Sequence, residues 1–161
     1  MKNEEIEFCQ NKAESKLNVN LWLLGISFTL FTFIIAVNPN LLRDNIFLSL
    51  QLTLAIPFLM TSIFARTKLM HVENNHRVWD IYGFITFIMA YGFLINVVGI
   101  FLSTLIGITT GMIFFGANII FAMVYSIVEV RSCREGVFSK ILKDSLFMIL
   151  VLLLGVMPSL Y

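Results

Sequence analysis

Residues 79–130 read WDIYGFITFIMAYGFLINVVGIFLSTLIGITTGMIFFGANIIFAMVYSIVEV, and within them only Asp80 and Glu129 carry a formal charge. A single membrane-spanning helix needs about 20 apolar residues, so a stretch of about fifty residues is long enough for two spans joined by a short apolar turn. Counting about 20 residues inward from each charged end places the turn within residues 99–110. Ser103-Thr104 and residues 107–111 are both candidates for it.

The composition of the whole chain indicates that the bilayer is its solvent. Hydrophobic residues make up 58% of the 161 residues and charged residues 13%, whereas a soluble domain has about 45–50% and about 25%. A chain of this size cannot hide so much apolar surface in one water-soluble core. The net charge of +1 and the lack of a basic stripe give no indication of nucleic-acid binding.

Apolar stretches of span length also occur on both sides of this hairpin. The sequence therefore predicts an all-α integral membrane protein, a bundle of five transmembrane helices in one domain over residues 21–161. The polar segment 1–20 is either a solvated leader or an amphipathic helix on the membrane surface. The predicted spans are, approximately, residues 21–37, 45–65, 78–102, 106–130 and 140–160.

Local signals mark several boundaries of these spans. Pro39 ends the first span, because proline cannot continue a helix and restricts the residue before it. Asp44 is a suitable N-cap for the second span. Pro57, in the middle of that span, removes one backbone hydrogen bond, so a kink is expected there. Residues 66–77 are predicted to form a polar loop.

The distribution of Lys and Arg predicts the orientation. With five spans, ten of the eleven positive charges fall on the side of the N-terminus and only Arg43 falls on the other. The positive-inside rule makes the first side cytoplasmic, so we expect the N-terminus inside and the C-terminus outside. A four-span arrangement would split a basic cluster. The expected location is the plasma or inner membrane, as a multi-pass protein.

Small or weakly polar residues recur at helical spacing on several spans. In lipid, helices associate by close approach over small residues and by interhelical hydrogen bonds rather than by hydrophobic attraction. We therefore interpret these residues as helix-packing positions. They are Gly25 and Thr29 in the first span, Gly92 and Gly99 in the third, and Gly111 and Ala122 in the fourth.

Five polar residues at or near span depth are candidates for a polar path or for packing. An unpaired amide costs several kcal/mol in hydrocarbon, so each amide must face protein or water. The carboxylates of Asp80 and Glu129 are predicted to lie at the same cytoplasmic end of two adjacent helices. They either pair with nearby arginines such as Arg77 or form an acidic vestibule for cations or protons. The five candidates are Gln51, Asn96, Asn118, Asp80 and Glu129.

Patterns typical of catalysis or metal binding are weak. The chain has no G-x-S-x-G elbow, Walker A loop or C-x-x-C pair. His71, Glu73 and His76 are the weak metal candidates, but the histidines are five residues apart rather than the four that a zinc-protease helix requires. We expect neither a metal ion nor a cofactor.

These features predict a non-enzymatic, homo-oligomeric pore, channel-like or transport element in the lipid bilayer. One alternative is an inner-leaflet membrane enzyme that uses Asp80, Glu129 or the histidine loop. The other is a membrane anchor or accessory subunit that recruits a soluble cytoplasmic partner through basic residues. Those basic contacts would be Arg131, Arg134, Lys140 and Lys143.

Overall fold

The computed structural model describes the backbone of residues 2–71, 76–132 and 137–160, and the side chains of residues 13–71, 78–128, 131 and 144–160. Every element in these ranges is helical, so the predicted all-α membrane class is confirmed. The elements in chain order are α1 (Lys2–Val37), α2 (Leu41–Asp44), α3 (Ile46–His71), α4 (His76–Leu105), α5 (Ile108–Ser132), α6 (Val137–Val151), a π-helical turn (Leu152–Val156) and α7 (Met157–Ser159).

Four helices are long and apolar enough to cross a membrane. The shortest of these stretches has 21 residues, which is about 30 Å at the rise of an α-helix and matches the hydrocarbon thickness. The apolar stretch Asp144–Ser159 is shorter, so the fifth span and the orientation of the termini stay predictions. The four long stretches are Ala13–Val37, Ile46–His71, Val78–Leu105 and Ile108–Val128.

Two helices extend beyond the predicted bounds. α1 is continuous from Lys2 to Val37, so the polar residues 2–20 run without a break into the helix of the first span. Their Glu, Lys, Ala and Gln residues are good helix formers. The predicted loop at residues 66–77 is wrong over most of its length, because α3 continues to His71 and α4 begins at His76. Arg66 has an ion-pair partner within the protein, so this charge does not end the helix.

The structure corrects the predicted N-cap of the second span and identifies the residue that forms the turn between α4 and α5. Asn45 rather than Asp44 caps α3, since the Asn45 Oδ1 accepts a hydrogen bond from the Leu48 N–H at 3.0 Å, as an N-cap does. Pro57 lies inside the continuous α3. Gly107 forms the turn between α4 and α5 with a φ of 140°, a conformation that favours glycine.

The helices assemble into two compact units. The first unit contains Met1–Asp44 and Leu52–Tyr91, and the second contains Asn45–Gln51 and Gly92–Tyr161. Both α3 and α4 contribute residues to each unit. Among the four candidate spans, the share of buried residues is greatest in the span of α4 and least in that of α5.

Candidate functional site

Three charged side chains meet in the first unit. The Lys16 Nζ donates a hydrogen bond to the Asp80 Oδ1 at 3.0 Å, and the Arg66 Nη1 donates to the same oxygen. The Arg66 side chain is only 3% exposed, whereas those of Lys16 and Asp80 are 34% and 47% exposed. Burying a guanidinium is costly unless it is paired. Asp80 therefore compensates the charge that α3 places inside the unit.

A neutral hydrogen-bond chain joins the same three helices. The Asn20 Nδ2 donates to the Ser62 Oγ at 2.8 Å, and the Ser62 hydroxyl donates to the Gly83 carbonyl at 2.7 Å. These residues lie one helical turn from Lys16, Arg66 and Asp80 on their respective helices. The chain thus fixes α1, α3 and α4 next to the charge cluster.

The glycine in this chain permits the close approach of α3 and α4. A Cβ atom at Gly83 would lie 2.9 Å from the Ala65 Cβ and 3.4 Å from the Arg66 Nε. Carbon atoms in ordinary contact are about 3.5–4.0 Å apart, so any other residue would push α3 away. Gly83 therefore lets the Arg66 guanidinium lie close to the α4 backbone.

In the second unit, two buried amides bind backbone carbonyls near the end of the chain. The Gln51 Nε2 donates to the Leu154 carbonyl at 2.6 Å, and the Asn96 Nδ2 donates to the Leu150 carbonyl at 3.3 Å. The residue four positions after Leu154 is Pro158, which has no N–H to offer that carbonyl. Gln51 supplies the donor that the proline lacks.

Several buried side-chain oxygens of the second unit lack a hydrogen-bond donor among the described residues. The Gln51 Oε1, the Asn96 Oδ1 and the Ser103 Oγ are buried and have no hydrogen-bond partner among the described residues. Gln51 is 2% and Asn96 0% exposed. We call these three atoms the oxygen seam. The π-helical turn Leu152–Val156 begins two residues after Leu150 and contains Leu154, and such turns are frequent at functional sites.

Glycines bring the helices of the second unit together. A Cβ atom at Gly92 would lie 2.7 Å from the Leu150 Cδ2, and one at Gly111 would lie 2.9 Å from the Gly99 carbonyl oxygen. The Phe115 ring packs against Gly99 and also against Gly155. Our sequence interpretation did not include Gly155, although its position as a small residue in an apolar stretch was a usable signal.

The remaining packing candidates do not make such contacts. Gly25 has no atom within 4 Å of the position its Cβ would occupy. Thr29 is exposed, and its hydroxyl donates to the carbonyl of Gly25 at 3.0 Å. Ala122 is half-buried. The face of α1 that carries Gly25 and Thr29 is therefore open in a single copy of the chain.

Several polar candidates lie apart from both sites or outside the described residues. The Asn118 amide donates to the Phe114 carbonyl of its own helix at 2.9 Å. Arg131 and His71 are exposed. Among the described positions, no group of three His, Cys, Asp or Glu side chains could hold a metal ion. The side chains outside the described residues are those of Glu73, His76, Arg77, Glu129, Arg134, Lys140 and Lys143.

The two cations of the charge cluster were not among the sequence candidates. Lys16 falls in the predicted polar segment and Arg66 in the predicted loop. Each lies four residues from a polar span residue, Asn20 and Ser62 respectively, so that the pairs share a helix face. That spacing was the one signal in the sequence that could have identified them.

No protein-family model, curated protein or solved structure matches this chain. Its function is therefore inferred from the charge cluster of the first unit and the oxygen seam of the second.

Proposed function

We propose that this multi-pass membrane protein is a channel-like or transport element without catalytic activity, which works as a homo-oligomer and conducts a small cation or water. The observation that carries the proposal is the oxygen seam. Each unpaired polar group in hydrocarbon costs several kcal/mol. A buried oxygen without a donor is normally satisfied by water or a cation. Oxygen-lined passages use this property to replace the hydration shell of a cation.

The arrangement of the two amides favours cations over anions. One N–H of Gln51 and one of Asn96 are bonded to the Leu154 and Leu150 carbonyls, and both amide oxygens are buried without a donor among the described residues. Each amide nitrogen has a second N–H and the Ser103 hydroxyl can also donate, but the unsatisfied atoms of the seam are oxygens. Such acceptor oxygens can replace the hydration shell of a cation, whereas an anion is bound by N–H or O–H donors.

The exposed face of α1 is consistent with assembly. Helices in lipid associate over small residues, and Gly25 leaves space for a neighbouring backbone. A second copy of the chain seated on Gly25 and Thr29 would make these residues packing positions between copies rather than within one.

Ion flux in liposomes tests the proposal. The purified full chain is reconstituted, its oligomeric state is verified in detergent, and potassium and chloride fluxes are measured. Gln51→Leu and Asn96→Leu should reduce the potassium flux at least about tenfold, because each removes an oxygen from a passage in which an unpaired polar group costs several kcal/mol. Asn118→Leu is the matched control, since this amide is bonded to its own helix.

Ser103→Ala provides a milder variant that keeps the fold, because the Ser103 Oγ has no hydrogen bond to lose among the described residues. It should also lower the flux. Wild-type flux no larger than that of empty liposomes would overturn the proposal. Loss of cellular function on neutralising the basic residues near Arg131, with the amide variants fully functional, would instead indicate a recruiting subunit.

A further inference from the structure

A long groove on the first unit lies between the end of α3 and the start of α4. Its volume is about 790 Å³, which falls in the range of about 300–1,000 Å³ that is typical of ligand sites. The buried Ala65, whose Cβ lies beside Gly83 of α4, closes the groove from the protein side. Phe64 of α3 and Tyr82 of α4 line it and are 63% and 48% exposed. The groove therefore opens toward the surroundings of the protein.

The groove is apolar over most of its length and basic at one end. Thr61 lies at the apolar end, and Lys68 and His71 line the groove in the last turn of α3. The helix from Thr61 to His71 covers about 15 Å at a rise of about 1.5 Å per residue, which is half of the hydrocarbon thickness of about 30 Å. The groove thus has the depth of one lipid leaflet and the polarity of a lipid, with its basic end at the membrane surface.

The described residues that line the groove include one lysine and one histidine but no carboxylate. Lys68 and His71 are both exposed, and neither forms an ion pair with a described residue. Asp80 of α4 is bound by Lys16 and Arg66 and does not line the groove. Because a lysine ammonium binds a phosphate group as a point charge, the basic end of the groove complements an anionic headgroup.

Two aromatic residues line the groove near its basic end. The Trp79 and Tyr82 rings pack edge to face with their centroids 6.4 Å apart. Tryptophan and tyrosine are enriched at headgroup level because each ring has an apolar body and a polar tip. We propose that the groove binds one anionic phospholipid, with its phosphate at Lys68 and one acyl chain along Phe64 and Tyr82. This site lies in the first unit and does not depend on conduction through the oxygen seam.

Tryptophan fluorescence of the full chain in vesicles tests this site, because the groove contains one of the two tryptophans of the chain. Trp22→Phe leaves Trp79 as the only reporter. The vesicles are phosphatidylcholine with a minor fraction of the anionic phosphatidylglycerol. Two samples of this same composition differ only in the lipid that carries bromine, a contact quencher: the phosphatidylglycerol, or an equal amount of the phosphatidylcholine. Trp79 should report binding of phosphatidylglycerol that is about fivefold tighter, the size of the attraction of one lysine to an anionic membrane.

Variants in the same background separate headgroup binding, acyl-chain binding and folding. Lys68→Gln removes an exposed charge, so the protein should fold and lose the preference for phosphatidylglycerol, whereas Lys68→Arg should retain it. The Thr61 hydroxyl donates to the Pro57 carbonyl of its own helix, so Thr61→Leu fills the apolar end of the groove without breaking that helix from its neighbours. It should lower the quenching of Trp79 by brominated phosphatidylglycerol. Arg43→Gln, at an exposed arginine outside the groove, is the control and should behave as the parent protein does.

The second tryptophan shows whether a preference belongs to the groove or to the whole protein surface. Trp79→Phe leaves Trp22, which is 76% exposed on α1, as the reporter, and the two brominated lipids should quench it equally. Equal quenching of Trp79 by the two lipids would overturn the proposal. So would a preference that is as strong at Trp22 as at Trp79, or one that Lys68→Gln leaves unchanged while its circular dichroism spectrum is native.

Discussion

A single methyl group added at Gly155 should destabilise the protein, whereas the same group added at Gly25 should not. The Cβ atom of Gly155→Ala would lie 2.6 Å from the Phe115 Cε1 and 3.0 Å from the Asn96 Cγ. Both neighbours are fully buried. The Phe115 ring cannot move away freely, because it also packs against Gly99. The Gly25 position has no atom within 4 Å in a single copy of the chain, so Gly25→Ala meets no obstacle in the monomer.

The expected free energies follow from these distances. Carbon atoms in contact are about 3.5–4.0 Å apart, so the overlap at Phe115 is about 1 Å. Overpacking a core costs about 1–3 kcal/mol, and a displaced Asn96 loses an interhelical hydrogen bond of about 0.6 kcal/mol. Replacing glycine by alanine in a helix stabilises it by at most about 1 kcal/mol. The net change is a loss of about 1–2 kcal/mol for Gly155→Ala and a gain of up to about 1 kcal/mol for Gly25→Ala.

Equilibrium unfolding of the monomeric chain in mixed detergent micelles, followed by circular dichroism, measures both changes. A second background provides the control, because Phe115→Leu replaces the ring that the new methyl group would meet. In that background, Gly155→Ala should cost less than in the wild type. Equal unfolding free energies for Gly155→Ala and Gly25→Ala would refute the reasoning, as would a cost at Gly155 that does not depend on the residue at 115.

Three further predictions concern single interactions. Asp80→Asn should lower the unfolding free energy by about 1–3 kcal/mol, since it removes the charge that compensates the buried Arg66; an unchanged midpoint in the same titration would contradict this. Pro158→Ala should restore an N–H for the Leu154 carbonyl, so Gln51→Leu should cost about 0.6 kcal/mol less in that background than in the wild type. A double-mutant cycle without coupling would show that Gln51 does not replace the missing donor. Gly107→Ala should cost about 1–3 kcal/mol of backbone strain because of the φ of 140°, and a loss no larger than that of an alanine at an unobstructed glycine would exclude this strain.

Much of the fold follows from local information. The near absence of charged residues between residues 79 and 130 is enough to predict two spans. Residues 107–111 are one of the two predicted positions of the turn between them. The exact turn depends on which residue adopts a positive φ, and Gly107 does so. The ends of α1 and α3 were less predictable, because a charged residue ends a span only when it finds no partner in the protein. Arg66 finds one in Asp80.

The hydrogen-bond and ion-pair partners in the candidate site depend on tertiary structure more strongly than the helices do. The sequence singled out Gln51, Asn96 and Asp80 as polar residues at span depth, but it could not supply their partners. Asp80 is 64 residues from Lys16 and 14 from Arg66, and Gln51 is 103 residues from Leu154. Helical spacing carries information over only a few turns, so such pairings are outside its range.

By itself, the sequence determined that the chain is helical and lies in a membrane, because composition and the lengths of apolar runs are properties of the chain alone. Only the tertiary structure decided which polar groups are satisfied. The polar group of a side chain at span depth must be paired somewhere, but its partner depends on which helices are neighbours. Those contacts made Arg66 a buried cation and left the oxygens of Gln51 and Asn96 facing inward. The proposed function rests on the second of these facts.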